Sequence, residues 1–454
     1  MQYQAPPGPA ELPLFGSAVE YAEDPLGFME ETASRYGDVA RFELGGREVY
    51  LVTDPEAIGR VLVSNKENYR KPDSVDRPAG ELLGAGLLTS EGEHWREQRG
   101  RMQPAFYRDK VAGYAPAMVE RTEDLLESWH DGQQLDVHRD MAELTLHIVV
   151  DALFGADLAG MERAVGEALQ VAGEQFRPDP VLMALPDGVP TPGERRYQRA
   201  IADLERVLRD VLRQHERGTG VEGNDGDGDT ESTEDETLLS ILTRVRDAGL
   251  IDDEQVRDEL MTMLLAGHDT TALSLTYAWY LLSKHPERER RFHRELDRVL
   301  DGAVPTAEDV PELAYTQQVV TESMRLYPPV YSLFRESSEA DVLGGYHVPA
   351  DTLLFLPQWV VHRDPRFYDA PQEFRPERWT PDFEAALPTY AYFPFGGGPR
   401  RCIGNEFATM EATLVLATVG SRYELDLVDD GPLDLAPSLT VHPENPVEVT
   451  VRER

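Results

Sequence analysis

The sequence predicts a mainly α-helical fold with a small β portion. Apolar residues recur at helical spacing over 111–130, 139–154, 160–176 and 193–217. A longer run opens at Asp252-Asp253 and reaches Lys284 before His285-Pro286 stops it. At 1.5 Å per residue, 253–284 would span ~48 Å, enough to cross a domain. Strand signals are short by comparison: Val39–Leu44 and Glu48–Val52 alternate around Gly45-Gly46 as a hairpin, and Gly345–Val348 and Thr352–Leu356 add further strands.

In chain order, residues 5–16 are too Pro-rich for a helix. A helix is expected over Pro25–Arg35, then the hairpin, then a helix from Asp54-Pro55 to about Asn65. Lys71–Gly86 reads as loop. The next helix carries Trp95 and Arg99, four apart and so on one face. Between the helices 160–176 and 193–217 lies a Pro-rich loop with apolar Val181, Leu182, Met183 and Leu185. Gly218–Thr237 is low-complexity and acidic, and is expected to be a disordered surface loop. Its alternating Asp225, Asp227 and Asp229 lack the glycine and terminal glutamate of a calcium loop.

In the middle of the long helix stands Ala266-Gly267-His268-Asp269-Thr270-Thr271, a run of poor helix formers. A threonine hydroxyl there can take a preceding carbonyl and open a local bulge. Such a departure from local preference points to function. A helix over Leu313–Tyr327 holds Glu322 and Arg325, an i,i+3 acid–base pair, and Arg378 follows in an irregular Pro-rich segment. Short strands close the chain after Gly420. The whole, 1–454, reads as one domain.

Lys+Arg is 44 and Asp+Glu is 83, so the net charge is 44 − 83 = −39. Such a surface repels nucleic acid and anionic membrane. Lysine occurs only at 66, 71, 110 and 284. Excess carboxylate with little lysine, spread along the chain, suggests a salt-rich cytoplasm. The start, Met-Gln-Tyr-Gln-Ala-Pro-Pro, has no secretory pattern, and no window approaches the ~18–20 apolar residues of a membrane span. A soluble cytoplasmic protein is expected, in keeping with one cysteine.

That cysteine, Cys402, sits in Phe395-Gly-Gly-Gly-Pro-Arg-Arg-Cys-Ile-Gly404. An inert buried thiol is the usual fate of a free cysteine. Here three glycines allow a tight turn against something flat, and Arg400 and Arg401 would favour a thiolate. A helix over 403–421 would place the sulfur at its N-terminus. A thiolate so held is a soft metal ligand or a nucleophile. With no second cysteine a multi-thiolate cage is excluded, and a single axial ligand to haem iron fits the residues best.

Phe395, Gly398, Arg400, Cys402 and Gly404 match every fixed position of the haem-binding loop of the cytochrome P450 family, Phe-x-x-Gly-x-Arg-x-Cys-x-Gly. The block Ala266–Thr271 is similar to that family's Ala/Gly-Gly-x-Asp/Glu-Thr-Thr/Ser signature. Trp95/Arg99 and Glu322/Arg325 with Arg378 occur in family order, so the resemblance covers nearly the whole chain. It implies a cytochrome P450 fold and haem b (iron protoporphyrin IX) ligated by Cys402. It further implies that Trp95, Arg99 and Arg400 hold propionates, with Arg335 reaching the other one. Ala266 and Gly267 would keep the long helix thin over the haem. Thr270 and Asp269 would deliver protons to oxygen, while His268 is given no role. Leu88, Ala266 and Val330 would line the substrate pocket. Glu322, Arg325 and Arg378 would form a structural ion network, and the helices 160–176 and 193–217 with their loop 176–192 a lid, ordinary packing of the apolar loop tip being the alternative.

The activity implied is monooxygenation of an apolar small molecule with O2. With no flavin or iron–sulfur motif in the chain, electrons would come from a separate ferredoxin-type or flavoprotein donor. A monomer without nucleic-acid or membrane partners is expected, and fatty acids, terpenoids and steroids all remain open as substrates. A peroxygenase or isomerase would usually lack the Asp269/Thr270 pair. A haem gas sensor would consume no electrons on substrate addition, and a cysteine hydrolase would need a histidine base that the sequence does not single out.

Overall fold

The computed structural model describes residues 4–10, 16–72, 80–157, 160–174, 176–178, 193–219 and 237–454. The helix Asp253–Lys284 runs through the core. Asp252 caps it, its Oδ1 accepting the Gln255 N–H at 2.9 Å, and Asp253 and Glu254 in the first turn face the positive end of the dipole. The helix stops at His285, where Pro286 follows. Most of Val256–Leu282 is buried, as expected of a helix packed on all sides. Apart from Arg257, the exceptions cluster: Leu265, Gly267, Asp269 and Thr270 are half-buried and Ala266 is exposed.

The helices Val137–Val149, Ala314–Leu326 and Asn405–Arg422 pack on this rod, and their apolar stripes merge into one large core. A five-stranded sheet lies apart, in the order Val39–Leu44, Arg47–Val52, Leu353–Leu356, Leu333–Ser337, Tyr69–Arg70. Only the second and third of these run parallel. A separate core beneath it includes Ile58, Val61, Leu62, Leu354 and Phe393, which brings the Cys402 loop against the sheet. Gln134–Asp136, Glu448–Glu453 and Tyr423–Leu427 form a second sheet, and Leu435–Pro437 pairs with Val441–Pro443 in a hairpin. Tyr277 of the long helix donates its hydroxyl to the Val441 carbonyl at 2.5 Å, and Val441 N–H donates to Pro329 O at 2.9 Å. The first bond docks the hairpin on the rod, the second on the chain that follows the helix Ala314–Leu326.

Several expectations need correction. The helix expected over 111–130 is two, Arg108–Gly113 and Ala115–Glu127, because Pro116 has no N–H for the Ala112 carbonyl. The helix after the cysteine begins at Asn405, so Cys402 stands in the loop before it. No bulge opens in the long helix: Thr270 and Thr271 donate to the carbonyls of Ala266 and Gly267 at 2.8 and 3.2 Å while the α-helix continues. The helices Ala18–Glu23, Leu238–Asp247 and Pro286–Leu300 were not anticipated. Of the lid 176–192, residues 179–192 lie outside the described residues, as do 220–236 of the acidic segment.

Candidate functional site

The Cys402 loop is held from outside before it reaches the sulfur. Tyr368 donates its hydroxyl to Ala391 O at 3.0 Å. Phe393 N–H donates to His362 Nε2 at 3.0 Å, and Gln358 Nε2 donates to Phe393 O. Burial and the nearby Arg325 and Arg363 push His362 well below the ordinary histidine value, which keeps Nε2 free to accept. Within the loop, Cys402 N–H donates to Phe395 O at 2.9 Å and Arg401 N–H to Gly398 O at 3.1 Å. Gly398 has φ +65°, and a Cβ there would lie 2.1 Å from the Leu62 carbonyl oxygen. Gly404 caps the following helix with ordinary φ −89°.

Cys402 is accessible, although the protein around it is dense enough that burial pushes its thiol up. The Gly404 N–H, Arg99 and Arg401 oppose that rise. The cations acting on the sulfur are therefore Arg99 and Arg401 instead of the expected Arg400 and Arg401.

Arg99 is half-buried on the helix Gly92–Met102, and burial lowers its pKa. Among the described residues its guanidinium has no hydrogen bond or ion pair; its contact is with the Trp95 ring, 5.9 Å from the centroid. A half-buried guanidinium without an anion beside the cysteine is the fit expected for a carboxylate-bearing group. Arg400 differs: it stacks on Trp95 at 4.3 Å, donates to Ser90 O at 2.8 Å and pairs with Glu91 at 3.0 Å. Its charge is already matched by a carboxylate. Arg335 donates to Phe334 O at 2.7 Å in the sheet.

On the long helix, Ala266 is exposed where its neighbours are covered. Gly267 does not share that role, because a Cβ on it would meet Val149 at 3.0 Å, on the side of the helix Val137–Val149. Its small size serves helix packing. His268 is buried with Nδ1 unpartnered, and burial lowers it to about 4. Asp269 Oδ2 accepts from Thr440 Oγ1 at 2.7 Å and lies 3.3 Å from His442 Nε2. Burial alone would raise this carboxyl, but His442, with His268 and Thr440, outweighs it and holds Asp269 well below the usual carboxylate range. Thr440 and His442 were not anticipated, since the bond spans 171 positions and no local pattern marks it.

Leu88 is 42% exposed, with its carbonyl accepting from Lys71, and Val330 is half-buried after Pro328-Pro329. Glu322, Arg325 and Arg378 do meet: Glu322 takes Arg325 Nε at 2.8 Å and Arg378 Nε at 3.0 Å. Trp379 and the Arg375 backbone N–H also donate to Glu322, each at 2.9 Å. Among the described residues no three His, Cys, Asp or Glu are placed to hold a metal ion together, and no helix is long and apolar enough to cross a membrane.

Comparison with known proteins bears on the family and the fold. Residues 6–451 match the family model described as Cytochrome P450. The chain is 35% identical to cyclooctat-9-en-7-ol 5-monooxygenase of Streptomyces melanosporofaciens, over 92% of this chain and 88% of that protein. It is 32% identical to pentalenene oxygenase of Streptomyces avermitilis, over 96% and 94%. The crystal structure of the cytochrome P450DA heme domain superposes with a TM-score of 0.85 at 26% identity, covering 100% of this chain and 99% of that one.

Proposed function

The chain belongs to the cytochrome P450 family, and from that premise we propose a haem-thiolate monooxygenase that hydroxylates an apolar small molecule. In balance, R–H, O2, two electrons and two protons give R–OH and water. When bound, haem b supplies the iron centre that binds and cleaves O2.

The chain's own residues do the rest. Cys402 would hold the haem iron: a bound metal cation deprotonates a thiol outright, overcoming the burial that raises the free one. Arg99, helped by the Trp95 indole N–H, would hold one propionate bidentately, and Arg335 the other. Arg400, stacked on Trp95 and paired with Glu91, would fix the indole in place. Phe395, Gly398 and Gly404 shape the loop around the sulfur, and Glu322, Arg325 and Arg378 lock the core beside it. Thr270 would pass protons toward the oxygen atom that leaves as water, with Asp269 behind it. Leu88, Ala266 and Val330 would face the substrate.

Two relatives are named for oxidation of pentalenene and of cyclooctat-9-en-7-ol, which favours a terpenoid among the apolar candidates. The electrons would come from a separate ferredoxin-type or flavoprotein donor. We further read one P450 unit, monomeric and cytoplasmic, adapted to a salt-rich cell.

The observation that carries the proposal is a reachable sulfur in a buried shell, beside an arginine with no anion. Haem-supplied protein, reduced and exposed to carbon monoxide, should give the thiolate type of absorption, and Cys402→Ser should lose it. An imidazole-type spectrum in the wild type would overturn the reading. A lipophilic library rich in terpenoids, screened for spectral displacement of the iron's water ligand, would then narrow the substrate.

A further inference from the structure

Asp269, Thr440 and His442 form a triangle. Asp269 Oδ2 lies 2.7 Å from Thr440 Oγ1 and 3.3 Å from His442 Nε2, and the last two are 2.9 Å apart. The proton count in this triangle is constrained. A carboxylate only accepts, and a hydroxyl has one hydrogen to give. If Thr440 donates to Asp269, its oxygen must accept, and the available donor is a proton on His442 Nε2. If Nε2 were bare, Thr440 would turn to it and Asp269 would lose a donor. The arrangement that satisfies all three atoms runs His442 Nε2–H to Thr440 O–H to Asp269.

We propose that His442 is the proton source for Asp269, taking protons from solvent and passing them inward by way of Thr440 or directly to Oδ2. The inference rests on the monooxygenase reading above and adds to it a donor carried on the hairpin, remote from the Ala266–Thr271 block. In each passage His442 loses its Nε2 proton, Asp269 Oδ2 gains one, and His442 is reprotonated from water. Its side chain is 30% exposed against 19% for Asp269, so the imidazole is the more accessible of the two.

The groups facing this histidine fit the role. From the long helix, Asp269 raises it against the effect of burial, while burial lowers His268 to about 4. From the helix Val137–Val149, His138 stacks edge-on at 5.6 Å and donates to or accepts from Thr276 Oγ1 at 3.3 Å. Burial and His442 both lower His138, so it does not compete for the proton. Arg177 lowers His442, against the carboxylate. Of the three histidines here, only His442 is raised, and it is the one that faces the carboxylate. Because the folded value of His442 is raised, its charged form persists above the ordinary histidine range and is lost as pH climbs through the folded value.

The test uses ring-labelled histidine in the haem-loaded protein. His442, assigned from His442→Gln, should titrate above an ordinary histidine and fall back toward it in Asp269→Asn. Coupling, product formed per electron pair, should decline along the same curve as pH rises. In His442→Gln and Thr440→Val, coupling should be several-fold lower and flat across that range, with the carbon monoxide spectrum unchanged. An ordinary His442 titration that Asp269→Asn leaves alone would overturn the proposal. So would wild-type coupling and pH profile in His442→Gln. An abnormal spectrum in the wild type would instead sink the monooxygenase reading, and the titration would still judge the pair.

Discussion

Glu322 shows how much one buried carboxylate can organise. Its side chain is fully buried and receives five donors: Arg325 Nε and Nη2, Arg378 Nε, Trp379 Nε1 and the Arg375 backbone N–H. Arg325 spends its other hydrogens on the carbonyls of His362, Pro371 and Glu373. Every partner is thus committed, and the network ties the helix Ala314–Leu326 to the segment that leads into the Cys402 loop. Glu322→Ala would strand two buried guanidiniums, a loss of about 3–5 kcal/mol. Urea unfolding should show it as a large drop in midpoint, and a midpoint near the wild type would mean that the network is not what fixes this region. At this scale the sequence was readable where partners are near in the chain. Glu322 and Arg325 are one turn apart, as are Trp95 and Arg99. Thr440 and His442 were invisible because their partner, Asp269, is brought to them only by the docking of the hairpin.

At the scale of elements, the long helix and the Cys402 loop were legible for different reasons. The helix has a cap, a stop and apolar residues all round. The loop has glycines whose purpose is steric. The break before Pro116 and the helix Leu238–Asp247 were missed, the first because apolar spacing carries across it, the second because it is short and abuts the acidic segment. Gly267 was placed wrongly because sequence marks a small residue but not which face it thins. Gly398 permits a sharper statement. Alanine there would need φ +65° and would put its Cβ 2.1 Å from backbone at Leu62, a clash that no rotamer relieves. Gly398→Ala should keep helical circular dichroism while losing most haem uptake, because the loop must shift to admit the methyl. Full uptake with a thiolate-type spectrum would show that the loop tolerates the shift and that Gly398 is not its pivot.

Over the whole molecule the governing fact is charge. If every one of the 44 basic residues were matched, 39 of the 83 carboxylates would still lack a partner. Arginines already serve several acids at once: Arg246 lies within 3.4 Å of Glu216, Asp247 and Asp253, and Arg366 bridges Asp38 and Asp364. The repulsion registers at individual groups. Glu289 is pushed up to about 7 by burial and then by Glu424 and Asp426. A carboxyl raised in the folded state stabilises it fully below the ordinary glutamate value, and that contribution fades as pH rises through about 7. Salt acts on the same repulsion by another route, since the screening length falls from ~10 Å at 0.1 M to ~3 Å at 1 M. The thermal midpoint should therefore rise from dilute buffer to molar KCl at pH 8, and rise less at pH 5.5, where protonation has already removed part of the repulsion. Equal salt responses at the two pH values would point to a general solute effect on burial. A midpoint flat in salt would mean that the acidic surface does not oppose folding, and the reading of a salt-adapted protein would fall with it.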